Sequence, residues 1–301
     1  MSVVLTIARQ EVRSASRERL ALSLLVVFLG MALVSSFIGW ATHHTVMSVY
    51  NETVIQMGRT VPNPFAGASP LEITRNTIIY VVLIGALLAT VVGGRSAVRD
   101  RKAGVTDLIF SRPIGARVYL AGKLLGAQLW MGIVLAAALV ASWVSVWVVA
   151  GQPLSASSSA LLLGFFGLAW LFLLPFSALG LIAGARSRHE STALLVAILA
   201  WVVIAFVIPQ LGTAQNPSAL LNPVPSAAST MDLIFRVNKV VLQPVSITEH
   251  FKHASSVILQ LKDVTSTAIA WDLLSLLVIA AFSVAALAVV TRASLRRPLY
   301  E

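Results

Sequence analysis

The sequence predicts an all-α integral membrane protein with six transmembrane helices, an N-terminal interfacial helix, a short cytoplasmic helix and amphipathic outer helices. Three observations carry this. Apolar residues make up 57% of the chain and charged residues only 11%, far from the roughly one-quarter charge of soluble domains. Mean hydropathy is +0.87. The apolar residues gather in six runs close to the ~20 residues that cross a hydrocarbon layer, with basic residues at their ends.

Residues 1–19, MSVVLTIARQEVRSASRER, read as an interfacial helix. They carry charge early and show no small-residue cleavage site before the first apolar run, unlike a secretory signal. The spans follow at about 20–41, 78–94, 119–150, 159–185, 192–211 and 268–290. Lipid offers the backbone no hydrogen-bond partner, so each span must be a helix. The third and fourth exceed the minimum and are expected to tilt or project. Residues 1–301 thus form one membrane domain, with outer loops at 42–77 and 212–267. Cysteine is absent, which excludes disulfides and thiolate metal sites.

Orientation follows from Lys and Arg. With the N-terminus in the cytoplasm, inner segments hold 16 of the 22 basic residues, among them Arg9, Arg13, Arg186, Arg188, Arg292, Arg296 and Arg297. The positive-inside bias therefore places both termini in the cytoplasm, as expected of a multi-pass protein of the inner (plasma) membrane. The net charge of +10 reads as this signal plus attraction to anionic lipid, since the basic residues flank apolar spans rather than forming a nucleic-acid surface.

Between the second and third spans, residues 95–118 hold an unusual share of the charge. The segment GARVYLAGK resembles a phosphate loop at a glance. Six residues, not four, separate Gly115 from Gly122, and Leu124 stands where a magnesium-binding hydroxyl is required, so the chain does not hydrolyse ATP itself. Arg95, Arg99, Arg101 and Lys102 suffice to fix topology. Beyond them Val105, Leu108 and Ile109 recur at helical spacing, with Asp100 and Asp107 available to the other face. Ser111, Arg112 and Pro113 end this helix, and Gly115 lets the chain turn. A short exposed helix with an apolar stripe suits docking to another protein.

Elsewhere the signals are weaker. No span carries an ionisable group at its middle, and Asp272 lies near an outer boundary, which argues against a proton relay and against intramembrane acid–base catalysis. Ser35, Ser36, Thr90, Gln128, Ser142, Ser145 and Ser177 are read mainly as bonds to neighbouring helices. Gly164, Gly167, Gly180 and Gly184 are expected to allow close packing, and Pro175 a bend. His189 and Glu190 lack the second histidine of a metalloprotease helix, and Ser191 or Thr192 would cap the helix that follows. Glu249, His250 and His253, like His43 and His44, are read as polar surface before metal ligands. Asn51-Glu52-Thr53 is a glycosylation sequon in an outer loop. MDLIFRVNKVVL and the stretch bearing Phe251, Ala254, Ile258 and Leu261 predict two amphipathic outer helices.

The ordered set Asp100, Arg101, Gly104, Leu108, Ile109, Ser111, Pro113, Arg117, Gly122 and Lys123 resembles the permeases of type-two ABC transporters, with Asp100 and Val105 standing where that family usually has Glu and Thr. The six-span layout and the N-terminal elbow extend the likeness, and the chain is similar to the nitrous-oxide-reductase maturation type. The resemblance implies a transport subunit, an exporter, without a cofactor of its own. ATP and magnesium would sit in a separate ABC ATPase, present in two copies, with a second permease chain completing a dimer. Asp100, Arg101, Gly104, Asp107, Leu108, Ile109, Ser111, Arg112 and Pro113 would form the ATPase-coupling segment. An alternative is a permease-like subunit that passes ATP-driven motion to an outer partner without moving a solute.

Overall fold

The computed structural model describes residues 2–57, 69–209, 237, 240–261, 269–290 and 294–295. All elements among them are helical. Helix α1, Val3–Ala15, starts where the Ser2 hydroxyl accepts from the Leu5 amide, a side-chain cap for an otherwise orphaned donor. Helix α2 runs Arg19–Met57. The second span is a composite: a 3₁₀ turn Pro70–Thr74, α3 Arg75–Tyr80, a π turn Val81–Gly85 and α4 Ala86–Lys102. Then come α5 Val105–Phe110, α6 Ala116–Ala150, α7 Ala156–Arg186 and α8 Glu190–Val202, the last continued by a π turn Val203–Val207. Helix α9, Ile247–Ile258, and α10, Ile269–Ala286, complete the described fold. Among the described residues six helices are long and apolar enough to cross a membrane: Arg19–Val54, Pro70–Lys102, Ala116–Val149, Ala156–Arg186, Glu190–Val207 and Ile269–Val289.

Several helices continue past the apolar run that signals them. Residues 42–57 contain neither Gly nor Pro, so α2 persists through them. The sequon Asn51-Glu52-Thr53 therefore lies on a helix rather than in a loop, and the Thr53 hydroxyl donates to the Val49 carbonyl. At the other end α4 carries Arg95, Arg99, Asp100, Arg101 and Lys102 on its last turns, so the start of the charged stretch continues the helix of the second span. Helix α8 begins at Glu190 with His189 at its cap position, not Ser191 or Thr192. Of the predicted helix over MDLIFRVNKVVL, Val237 and residues 240–242 are described and helical, while its remainder, the end of the fifth span beyond Pro209, and Arg292, Arg296 and Arg297 lie outside the described residues.

The main core joins Phe28, Met131, Phe165, Phe172, Phe176 and Phe251. Helix α4 crosses α7 at its centre, where small residues let backbones touch. A Cβ on Gly180 would stand 2.0 Å from the Thr90 carbonyl oxygen, and one on Gly184 would stand 2.2 Å from that of Gly94. Such contact replaces hydrophobic driving force inside a membrane. Gly164 and Gly167, expected to share this role, make no close approach. Several interior polar side chains bond to one another or to their own helix: Gln128 donates to Ser177 at 2.9 Å, Thr77 to Ser35 at 3.2 Å, and Thr90 to the Ala86 carbonyl.

Opposite the charged end, α9 lies against α7 and α10. The Phe251 ring stacks on Phe172 at 4.3 Å. Asp272 of α10 is hydrogen-bonded to both histidines of α9, at 2.7 Å from His250 Nδ1 and 2.5 Å from His253 Nδ1. His250 Nε2 lies 3.1 Å from the Pro244 carbonyl oxygen. Glu249 does not join them; it pairs with Lys252 at 2.9 Å. EHFKH is thus a latch that ties an amphipathic helix to the sixth span.

Candidate functional site

Everything that sets α5 in place converges beneath it. Gly104, with φ of 66°, closes α4 in the left-handed region, a conformation that costs other residues about 1–2 kcal/mol. The turn reverses the chain within two residues and launches α5 directly. Thr106 and Phe110, four residues apart, face the protein. The Thr106 hydroxyl donates to the Asp100 carbonyl at 3.3 Å, and the Phe110 ring meets Tyr119 edge-on at 5.5 Å. Ser111 ends α5 by donating from its hydroxyl to the Leu108 carbonyl at 2.7 Å.

The predicted stripe of Val105, Leu108 and Ile109 is therefore divided. Val105 and Ile109 are half-buried, whereas Leu108 is 71% exposed. Asp107, Arg112 and Pro113 are also exposed, so α5 presents one bare leucine rimmed by charge. The residues that anchor the helix, Thr106 and Phe110, are silent in the sequence because neither extends the apolar periodicity.

Beneath α5 lies a buried ion network. Lys123 of α6 is 3% exposed, and its Nζ lies 2.7 Å from Glu11 Oε2 and 2.7 Å from Asp100 Oδ2. The Tyr119 hydroxyl donates to Asp100 Oδ2 at 2.8 Å. Arg99 meets Glu11 at 2.6 Å and Glu18 at 3.4 Å, and Arg95 pairs with Glu18. Glu190, at the start of α8, takes Lys102 at 2.9 Å and Arg95 at 3.4 Å. Its carboxylate also lies at the positive end of the helix dipole. Arg101, directed otherwise, caps the end of α7 by donating to the carbonyls of Gly184 at 2.8 Å and Ser187 at 2.7 Å. Buried charges are tolerated only when paired or hydrogen-bonded, and Glu11, Asp100, Arg101 and Lys123 all are.

Gly122-Lys123 now has a physical meaning. Helix α1 packs flat on α6, where a Cβ on Gly122 would lie 2.8 Å from Ile7 Cβ and one on Gly126 would lie 2.4 Å from Glu11 Cβ. The glycines admit the helix that delivers Glu11 to Lys123. Of the residues singled out by pattern, Asp100, Arg101 and Lys123 belong to the clamp, Gly104 to the turn, and Asp107, Leu108, Ser111, Arg112 and Pro113 to the exposed face. Ile109 bridges the two. Glu11, Arg99 and Tyr119, which belong to the clamp, are not legible as partners because they come from separate elements, Glu11 standing 112 positions before the Lys123 it meets.

The clamp therefore joins α1, α4, α6, α7 and α8, four of the six spans and the N-terminal helix, to one short exposed helix. No match to the chain is found among curated proteins. A family model described as ABC-2 family transporter protein matches residues 5–297. With its six apolar helices, the chain belongs to the ABC-2 family of transporters as a multi-pass membrane permease.

Proposed function

We propose that the chain is the membrane-spanning subunit of an ATP-driven exporter and that α5 couples it to a separate ATPase. Family membership implies association with an ABC ATPase. The observation that carries the coupling role is the pairing of an exposed Leu108 with the buried clamp behind it. An unsupported helix would absorb a push by moving alone, whereas α5 is fixed to α4 and α6 through Thr106, Phe110 and Tyr119. Leu108 would fill a groove on the ATPase, with Asp107 and Arg112 as rim charges. ATP and magnesium belong to that partner, and this chain supplies no catalytic group.

Both described ends of the chain support cytoplasmic termini in the inner membrane. Ile7 near the start and Leu295 near the end pack into the cluster that holds Phe110 and Tyr119. Export is the direction the family resemblance implies. Two ATPase subunits must close on each other, so a dimer of this chain, or of it with a similar permease, completes the complex. Affinity purification of the permease from its source, with mass measurement of the detergent-extracted assembly, tests both points. The expected assembly holds two permease and two ATPase chains; a stable, ATP-hydrolysing complex with a single permease would overturn the dimer.

A second reading has its own observation. The His250 and His253 latch to Asp272 ties α9 to the sixth span, so ATP-driven motion could be delivered to an outer partner rather than to a solute, which would suit the nitrous-oxide-reductase maturation type. Capture of an outer partner whose release requires ATP would favour that reading over export.

A further inference from the structure

A groove of about 750 Å³ opens between α7, α8 and α10, within the ~300–1,000 Å³ of small-molecule sites. It arises from two irregularities that the sequence places side by side. Pro175 interrupts the hydrogen-bond ladder of α7, and the π turn Val203–Val207 widens the end of α8. Both are common causes of deformed helices and recur at functional sites. Val196, Ala200 and Ile204, spaced by four, line one wall; Phe176 lies on the second and Phe282 on the third.

The lining is almost entirely carbon. Two hydroxyls reach it, and both are spent on their own helices: Ser187 donates to Ala183 at 2.8 Å and Ser283 to Ala280 at 2.7 Å. A water-soluble ligand would find no polar partner along the walls. At the mouth the chemistry changes. Arg186, the last residue of α7, lines the groove with its side chain exposed. The nearest acid in sequence, Glu190, is taken by Lys102 and Arg95, and no carboxylate among the described residues pairs with Arg186. Arg188, two residues on and past the end of α7, is exposed and lies outside the groove.

We infer that this groove is a binding site for an anionic phospholipid, whose acyl chain lies along α8 while its phosphate is held by Arg186. One long apolar trough ending in a guanidinium that no described carboxylate neutralises matches that ligand in both parts. Arginine presents a planar fork of donors to a phosphate, and basic pockets between transmembrane helices are known to take anionic head groups. The groove is distinct from the clamp under α5, and the inference does not depend on which solute, if any, the permease moves.

The test uses the full-length permease in nanodiscs containing a trace of a photoactivatable phosphatidylglycerol, with the diazirine in its acyl chain, or the matching phosphatidylcholine. Mapped by mass spectrometry, the phosphatidylglycerol probe should label peptides spanning 196–208 and 278–286 in preference to the phosphatidylcholine probe. Arg186→Gln should reduce that preference roughly fivefold, the effect of one basic residue at an anionic surface. Ala200→Phe, which fills the trough, should remove labelling there by both probes. Wild-type protein alone already decides the matter if labelling is uniform around the spans, since that describes bulk lipid and overturns the site. Disulfide trapping of two copies through cysteines placed at positions 200 and 282 would likewise overturn it, by assigning the groove to a second chain.

Discussion

Lys123 Nζ stands 2.7 Å from Glu11 and 2.7 Å from Asp100, so one buried ammonium binds two carboxylates from helices on either side of it. Neither contact is local: the lysine joins α6 to the N-terminal helix and to the second span. Removing it leaves two carboxylates facing each other inside the protein. Loss of one partner from a buried ion pair costs about 3–5 kcal/mol, and Lys123→Ala should do so here. The melting temperature of the detergent-extracted permease reports it. Replacing the group together, as Glu11→Gln, Asp100→Asn and Lys123→Met, should recover most of that loss. A triple variant no more stable than Lys123→Ala would sink the claim that unpaired charge is the cause.

The split of α5 into an anchored and a bare side predicts two opposite phenotypes. Leu108→Asp changes an exposed position and should leave permease stability within about 0.5 kcal/mol, while abolishing co-purification of the ATPase. Phe110→Ala removes a ring that is 4% exposed and should cost about 3 kcal/mol through the cavity it leaves. ATPase retention by Leu108→Asp would refute the docking role.

Spacing of small residues predicts helix contact only when the facing backbone is there to be met. Gly180→Ala would drive a methyl into the Thr90 carbonyl and should cost at least about 1–3 kcal/mol by overpacking. A methyl at position 167 would meet nothing within 4 Å, so Gly167→Ala should melt no lower than wild type. Equal destabilisation by the two changes would mean that the α4–α7 crossing is not backbone-on-backbone.

That contrast shows what is legible in the sequence. The class, the number of spans and the short helix after Gly104 can be read because hydropathy and local punctuation act over a few residues. Gly180 and Gly167 look alike in sequence, and only the register of α4 against α7 separates them. Leu108 and Ile109 look like one stripe, yet Phe110 takes the buried position because Tyr119 arrives from the next span to receive it. Glu11 reads as one charge among several on an interfacial helix; its burial depends on Gly122 and Gly126, more than a hundred positions later. His250 and His253 carry the right spacing for a shared partner, and the partner is Asp272, which in sequence is an isolated boundary charge.

Transport by this permease should depend on ATP and survive collapse of the proton gradient. Among the described residues the buried charged groups fall into two separated sets: Glu11, Asp100, Arg101 and Lys123 under α5, and His250 and Asp272 at the opposite end. Between them lie Gln128, Ser177, Thr90 and Ser35, which form or receive hydrogen bonds but do not release protons near neutral pH. A proton relay needs titratable side chains in succession, and this interior offers none among the described residues. Energy would instead enter as mechanical work on α5. Purified permease and its ATPase in liposomes at equal internal and external pH provide the assay, with ATP hydrolysis as the readout until a substrate is in hand. Wild-type permease should change the ATPase rate, and the change should persist when a protonophore is added. A permease carrying both Leu108→Asp and Arg112→Glu should leave the rate at that of the ATPase alone. Solute movement driven by a pH step without ATP would refute the coupling, and so would a hydrolysis rate indifferent to the wild-type permease.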